Sequence, residues 1–136
     1  MPLETHPTVR WLREQKGEKA LQDQSKKFDV QWLRDLCIQS GADDVGFVDI
    51  IRPTMAAERA QLLEMMPGTR SLVSLAFRVN REVLRTPIHS IANIEFKQIF
   101  KHANHTTRRI VSALVIKGFR ALYAPAGFPY EADRWP

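Results

Sequence analysis

The chain has 136 residues, 44% of them hydrophobic, a net charge of +5 and one cysteine, Cys37. This length suggests one domain with a hydrophobic core of its own. A lone cysteine excludes an internal disulfide and argues against a zinc or iron–sulfur site built from this chain alone. No apolar run approaches the roughly 20 residues of a membrane span. The start lacks an apolar signal segment, so a cytoplasmic location is expected.

The charge is unevenly distributed along the chain. Residues 1–50 carry 7 basic and 9 acidic residues, whereas residues 51–136 carry 13 and 6. Between Arg70 and Arg120 there are 10 basic and 2 acidic residues. A block of this kind indicates either an anionic partner or a basic surface kept for solubility, and the charge count does not decide between them.

The first elements in chain order are a polar extension, a helix and a strand. Residues 1–28 read as an N-terminal extension with a weak helix after Thr8, packed by Trp11. Asp29 suits an N-cap and Gly41 a C-terminal cap, which predicts a helix between them. The run from Val45 to Ile50 is rich in β-branched and aromatic residues and predicts a buried strand.

The second half begins with another helix and strand. Pro53 opens a predicted helix that continues to about residue 65, and "MPGTR" ends it. "SLVSLAF", residues 71–77, is almost continuously apolar, as in a strand covered on both faces. A basic connection occupies residues 78–90.

A long helix is predicted next, over about residues 91–118, where Gly118 ends it. "RALYA", residues 120–124, is a candidate third strand, and the proline-rich tail reads as a loop. The alternation of helices and strands indicates an α/β domain. Three candidate strands are few for a finished sheet, so we expect either an incomplete domain or a partner, such as a second copy, that completes the sheet.

The stretch "FKHANHTTRRI" in the long helix carries the strongest chemical pattern. Its donors fall in neighbouring helical rows: His102, Asn104, His105, Arg108 and Arg109. The two histidines invite a metal site, but no Asp, Glu or Cys lies within five residues to complete the ligand set. Arginine forks bind phosphate or carboxylate, so the row predicts an anion-binding wall. A solvated helix face is the competing interpretation.

Other candidates are weaker. Arg78, Arg81 and Arg85 could contact RNA phosphates, but aromatic residues do not interleave with them as a stacking platform requires. Cys37 lies on an apolar helix face and reads as an inert core thiol. No nucleophile motif of the G-x-S-x-G kind occurs.

The motifs "CIQSGADDVGFVDI", "MPGTRSLVSLAF" and "KGFRALYAP" appear in an order that resembles a known family. Residues 29–125 are similar to the N-terminal half of iron–sulfur proteins related to epoxyqueuosine reductase and the corrinoid reductive dehalogenases. The resemblance implies a partial nitroreductase-like α/β core that holds cobalamin. It also implies a later ferredoxin-like module with two 4Fe–4S clusters, and redox chemistry that in one branch acts on a modified tRNA base. The positions that match the family motifs are Gly46, Phe47, Pro67, Gly68, Arg70 and Ser71.

Departures from the family pattern limit what the resemblance carries over. The cysteine-rich module is absent from these residues, and the family's acidic catalytic position lies beyond the third strand. In place of a tyrosine–histidine pair near the long helix, this chain has Phe100 and His102. No catalytic residue is therefore assigned.

Three interpretations follow. In the first, residues 29–136 are the N-terminal part of a corrinoid-dependent reductase-like protein, inactive alone, whose cofactor or substrate cleft is lined by the five polar residues of the long helix. The second is a non-catalytic basic module that binds RNA or a protein. The third is a flavin-binding nitroreductase-like protein.

Overall fold

Asp29 caps the N-terminus of the helix at Val30–Ser40. Its carboxylate accepts hydrogen bonds from the backbone N–H groups of Gln31 and Trp32, at 3.0 and 3.2 Å. Gly41 ends the same helix at a φ of 124°, a conformation that favours glycine. Both predicted boundaries are confirmed.

A computed structural model describes residues 7–14 and 29–125. Within these ranges the elements in chain order are α1 at residues 7–14, α2 at Val30–Ser40, β1 at Asp44–Asp49, a 3-10 turn at Pro53–Met55, α3 at Arg59–Met65, β2 at Ser71–Ala76, α4 at Arg81–Arg85 and α5 at His89–Ile116. The fold is mixed α/β, as predicted.

The sheet in the described part of the chain consists of β1 and β2, which pair antiparallel with Val45 opposite Leu75 and Phe47 opposite Val73. Side chains alternate between the two faces of a strand. Val45, Phe47 and Leu75 therefore share the face that packs on the core.

The core lies between that sheet face and helices α2 and α5. Its buried members are Leu33, Cys37, Val45, Ile110 and Leu114. Burying a Leu, Ile or Val side chain contributes roughly 1.5–3 kcal/mol, so this cluster is the main reason that α5 stays docked on α2 and the sheet.

Three expectations about the strands and loops are wrong. Residues 120–124 form no strand. Ala121 of this segment and Phe119, which precedes it, pack against the core without joining the two-stranded sheet. β2 is not covered on both faces, since none of its six residues is buried. The connection at residues 78–90 contains helix α4, which Asn80 begins by accepting a hydrogen bond from the N–H of Glu82 at 3.0 Å.

The predicted helix over residues 53–65 is divided. A 3-10 turn opens it and α3 completes it, with a turn at residues 56–58 between the two. In the N-terminal extension the helix after Thr8 is confirmed as α1, but the side chain of Trp11 is 55% exposed, so the expected packing by this residue is wrong. The rest of the extension, residues 1–6 and 15–28, and the tail from residue 126 lie outside the described residues.

Candidate anion-binding surface

Helix α5 carries all five side chains of the predicted polar wall, but it distributes them over two faces. An α-helix turns about 100° per residue. Asn104 and Arg108 are four residues apart and lie on one face. Arg109 is displaced by about 100° from Arg108 around the helix axis, and His102 lies on the same side as Arg109.

The face with Asn104 and Arg108 borders an open concave surface of about 500 Å³. His105 lines it as well. The residues that line the concavity come from α5 and from the segment that follows it: Lys97, Phe100, Lys101, Asn104, His105, Arg108 and Tyr123. The structure thus brings three of the five predicted residues together and adds four others.

The concavity is strongly cationic. Lys97, Lys101 and Arg108 line it, and none of the described Asp or Glu residues does. Glu95 is the one acidic residue in the sequence between positions 83 and 125, and its carboxylate accepts a hydrogen bond from the backbone N–H of Asn80 at 2.9 Å. Within residues 7–14 and 29–125, the three cations form no ion pair. Their charge is therefore available to an anionic ligand.

The cations form a row along the helix axis. Lys97 and Lys101 are about one turn apart, and Arg108 lies about two turns further on. With a rise of 1.5 Å per residue, the row spans about 16 Å. An arrangement of this length can contact more than one negatively charged group of a ligand.

Phe100 and Tyr123 provide the apolar part of the surface. The two residues remain 37% and 43% exposed, and both border the same concavity as the cations. The sequence-based interpretation missed both rings, and it missed Lys97 and Lys101. The spacing of the three cations at i, i+4 and i+11 was the available signal, since these positions share one helix face.

His102 does not line the concavity. Its ring instead contacts the end of α2. Its Nε2 atom lies 2.9 Å from the carbonyl oxygen of Gly41, and its ring meets Phe77 edge to face at 5.4 Å between centroids. Thr106, one turn further, donates a hydrogen bond from its hydroxyl to the carbonyl of Ser40 at 3.3 Å. These two side chains hold the last carbonyls of α2 against the middle of α5. Arg109 is exposed and does not line the concavity.

Potential metal ligands do not gather elsewhere in the described residues, where no group of three or more His, Cys, Asp or Glu side chains has a geometry that could hold an ion. Cys37 is fully buried in the core, as its position on the apolar helix face predicts. Burial raises the pKa of its thiol above the ordinary value, which keeps the sulfur protonated and unreactive near neutral pH.

A smaller basic patch lies where β2 leads into α4. Arg78, Val79, Asn80 and Arg81 line it, and the backbone N–H of Arg78 donates to the carboxylate of Asp43 at 2.6 Å. Asp43 therefore acts as a hydrogen-bond acceptor for this loop.

Among the described residues, no helix has the length and apolar character needed to cross a membrane. Comparisons with protein-family models, with curated proteins and with solved structures each find no match for this chain.

Proposed function

We propose that this chain is the ligand-holding part of an oxidoreductase of the kind that it resembles, related to epoxyqueuosine reductase and the corrinoid reductive dehalogenases. The observation that supports the proposal is the cationic concavity on α5, which Lys97, Lys101 and Arg108 line and to which no described acidic side chain contributes. The ligand that the resemblance implies is cobalamin, a corrinoid whose nucleotide arm carries a phosphate group. Arg108 binds that phosphate through its guanidinium fork, and the lysines add positive charge.

The residues present fit the anionic part of a corrinoid, and their contribution is binding and orientation. When bound, a corrinoid supplies the electron-transfer and reductive chemistry of such enzymes. Arg108 and Lys101 fix the ligand against α5, and Phe100 and Tyr123 exclude water from its apolar part. A 4Fe–4S cluster is held by cysteine thiolates. The one cysteine of this chain, Cys37, is buried in the core, so these residues do not provide the ligands of such a cluster. The chain alone is therefore a binding unit without turnover.

Titration with hydroxocobalamin tests the proposal, followed by the absorbance of the corrinoid and the thermal unfolding of the protein. The adjacent variants Arg108→Ala and Arg109→Ala are a matched pair, because each removes one exposed positive charge but only Arg108 lines the concavity. A charge-assisted hydrogen bond contributes about 1.5–3 kcal/mol, so Arg108→Ala weakens binding by about tenfold or more. Arg109→Ala binds like the unmodified chain.

Two results would count against this assignment. The first is a chain that gives neither an absorbance change nor a thermal shift at saturating hydroxocobalamin. The second is an equal loss of affinity in Arg108→Ala and Arg109→Ala, since that would indicate general charge attraction without a defined site.

A non-catalytic RNA-binding module is the second candidate function. The observation that favours it is the length of the cationic row, about 16 Å from Lys97 to Arg108, which exceeds what a single phosphate needs. If the three cations contact phosphates of a single-stranded RNA, log K should fall with log salt concentration at a slope of about −2. Arg108→Ala lowers that slope by about 0.7. RNA binding whose salt slope is the same in Arg108→Ala contradicts a role for this face.

A further inference from the structure

We propose that the concave surface on α5 recognises a nucleotide unit, with a phosphate on Lys101 and Arg108 and a planar base against Phe100 and Tyr123. The inference rests on the proposed function in that it assigns a ligand class to the same surface. It goes beyond that function because it assigns the two rings direct contact with a base, whereas in the proposed function they only exclude water.

The two aromatic rings and the cations border the same concavity on α5. Phe100 immediately precedes Lys101 on α5, so its ring and the ammonium group of the lysine leave the helix about 100° apart and border the same concavity. Tyr123 reaches this concavity from outside the helix, in the irregular segment that follows α5. Aromatic walls beside a row of cations are the combination that proteins use to hold a base and its phosphate together.

The rings are also accessible. Phe100 and Tyr123 remain 37% and 43% exposed, so each retains an apolar surface that a ligand can reach. Phe96, one turn earlier on α5, is 43% exposed but does not line the concavity. The difference between Phe96 and Phe100 is therefore their position relative to the cations, which makes Phe96 a matched control.

The size of the concavity favours a ligand larger than phosphate. Its volume of about 500 Å³ lies within the range of roughly 300–1,000 Å³ that is typical of small-molecule sites. Inorganic phosphate alone leaves most of such a surface unoccupied. A nucleotide adds a ring that covers the apolar wall while its phosphate meets the cations.

Calorimetric titration of the full 136-residue chain with AMP, adenosine and inorganic phosphate tests the inference. Stacking of a base on an aromatic side chain contributes about 1–3 kcal/mol, so AMP should bind about fivefold or more tightly than phosphate. Phe100→Leu and Tyr123→Leu should lose that preference. Phe96→Leu should retain it, and Tyr123→Phe should also retain it because the ring is kept. Thermal unfolding of each variant shows that the fold is intact.

The possible outcomes separate the two proposals. Equal affinities for AMP and phosphate would overturn the role of the rings and leave the anion site of the proposed function standing. An absence of binding by both compounds would overturn the nucleotide inference, and failure of hydroxocobalamin in the same assay would overturn the proposed function with it. AMP binding that is preserved in both leucine variants would also refute the inference.

A parallel pair of titrations distinguishes the sources of the nucleotide unit. Cobalamin carries a nucleotide arm with a phosphate and a base, whereas cobinamide lacks that arm. Preference for cobalamin over cobinamide, lost in Phe100→Leu, identifies the arm of a corrinoid as the source. AMP binding with equal affinities for the two corrinoids identifies a free nucleotide. Tighter binding of an RNA oligomer than of AMP, unaffected by Phe100→Leu, would overturn recognition of a single nucleotide unit.

Discussion

Replacing Gly41 with alanine tests whether the end of α2 is closely fitted against α5. Gly41 has a φ of 124°, where an L side chain is strained. A Cβ atom at this position would lie 2.8 Å from Cε1 of His102 and 2.9 Å from the hydroxyl oxygen of Thr106. Both side chains contact the last carbonyls of α2, so neither can move away without disturbing those contacts.

The expected loss of stability combines backbone strain and displaced contacts. Positive-φ strain for a non-glycine residue costs roughly 1–2 kcal/mol. Moving the buried hydroxyl of Thr106 from the carbonyl of Ser40 costs about 1 kcal/mol more. Gly41→Ala should therefore lower the free energy of unfolding by about 2–3 kcal/mol, a large part of the roughly 5–15 kcal/mol that holds a domain folded.

Urea denaturation followed by circular dichroism measures this effect, and Gly46→Ala is the matched control. Gly46 lies in β1, has no positive φ, and a Cβ there would meet nothing within 4 Å among the surrounding atoms. Its replacement should leave stability unchanged or raise it by about 0.4–1 kcal/mol, because alanine has less freedom in the unfolded chain. The close fit between α2 and α5 would be refuted if Gly41→Ala were as stable as the unmodified chain. It would also be refuted if Gly46→Ala lost as much stability as Gly41→Ala.

Three further predictions concern α2. Asp29→Ala should lower the free energy of unfolding by about 1 kcal/mol, since it removes the acceptor for the N–H groups of Gln31 and Trp32, and an unchanged urea midpoint would contradict that capping role. Cys37 should react with a thiol reagent only as fast as the fold opens, and fast labelling of the native chain would contradict its burial. Because burial raises the pKa of Cys37, the thiol supports the fold fully at pH values below the pKa of the unfolded chain, and this support is lost as pH rises through the higher pKa of the folded chain. Cys37→Ala should lack that alkaline loss of stability.

The sequence predicted best those elements whose limits are determined by local chemistry. Asp29 and Gly41 marked α2 because a carboxylate cap and a positive-φ glycine act within a few residues of the chain. The long helix was predicted over residues 91–118 and extends over His89–Ile116. Its apolar periodicity is a local property as well.

The failures occurred where tertiary pairing decides the structure. "RALYA" has a strand-like composition, but a strand also needs a neighbouring strand whose backbone groups are free to pair with it. In this segment Ala121 instead packs against the core, next to Phe119. The apolar run of β2 likewise suggested full burial, whereas only one face of β2 meets the core, through Leu75, and the strand includes no buried residue. Apolar composition alone does not report how many layers cover a strand.

The candidate site shows the same division between local and distant information. The pattern from His102 to Arg109 indicated a polar wall, but adjacent positions on a helix point about 100° apart, so the wall divides into two faces with separate roles. Arg108 lies with Lys97 and Lys101 on the cationic face. His102 contacts the carbonyl oxygen of Gly41 at the end of α2. The two roles are coupled, because both depend on the rotation of α5 about its own axis, and the contacts of His102 and Thr106 with the end of α2 help to set that rotation. That rotation determines which side chains face Tyr123, so a change at Gly41 that leaves the chain folded should still weaken the ligand binding that we propose at Arg108.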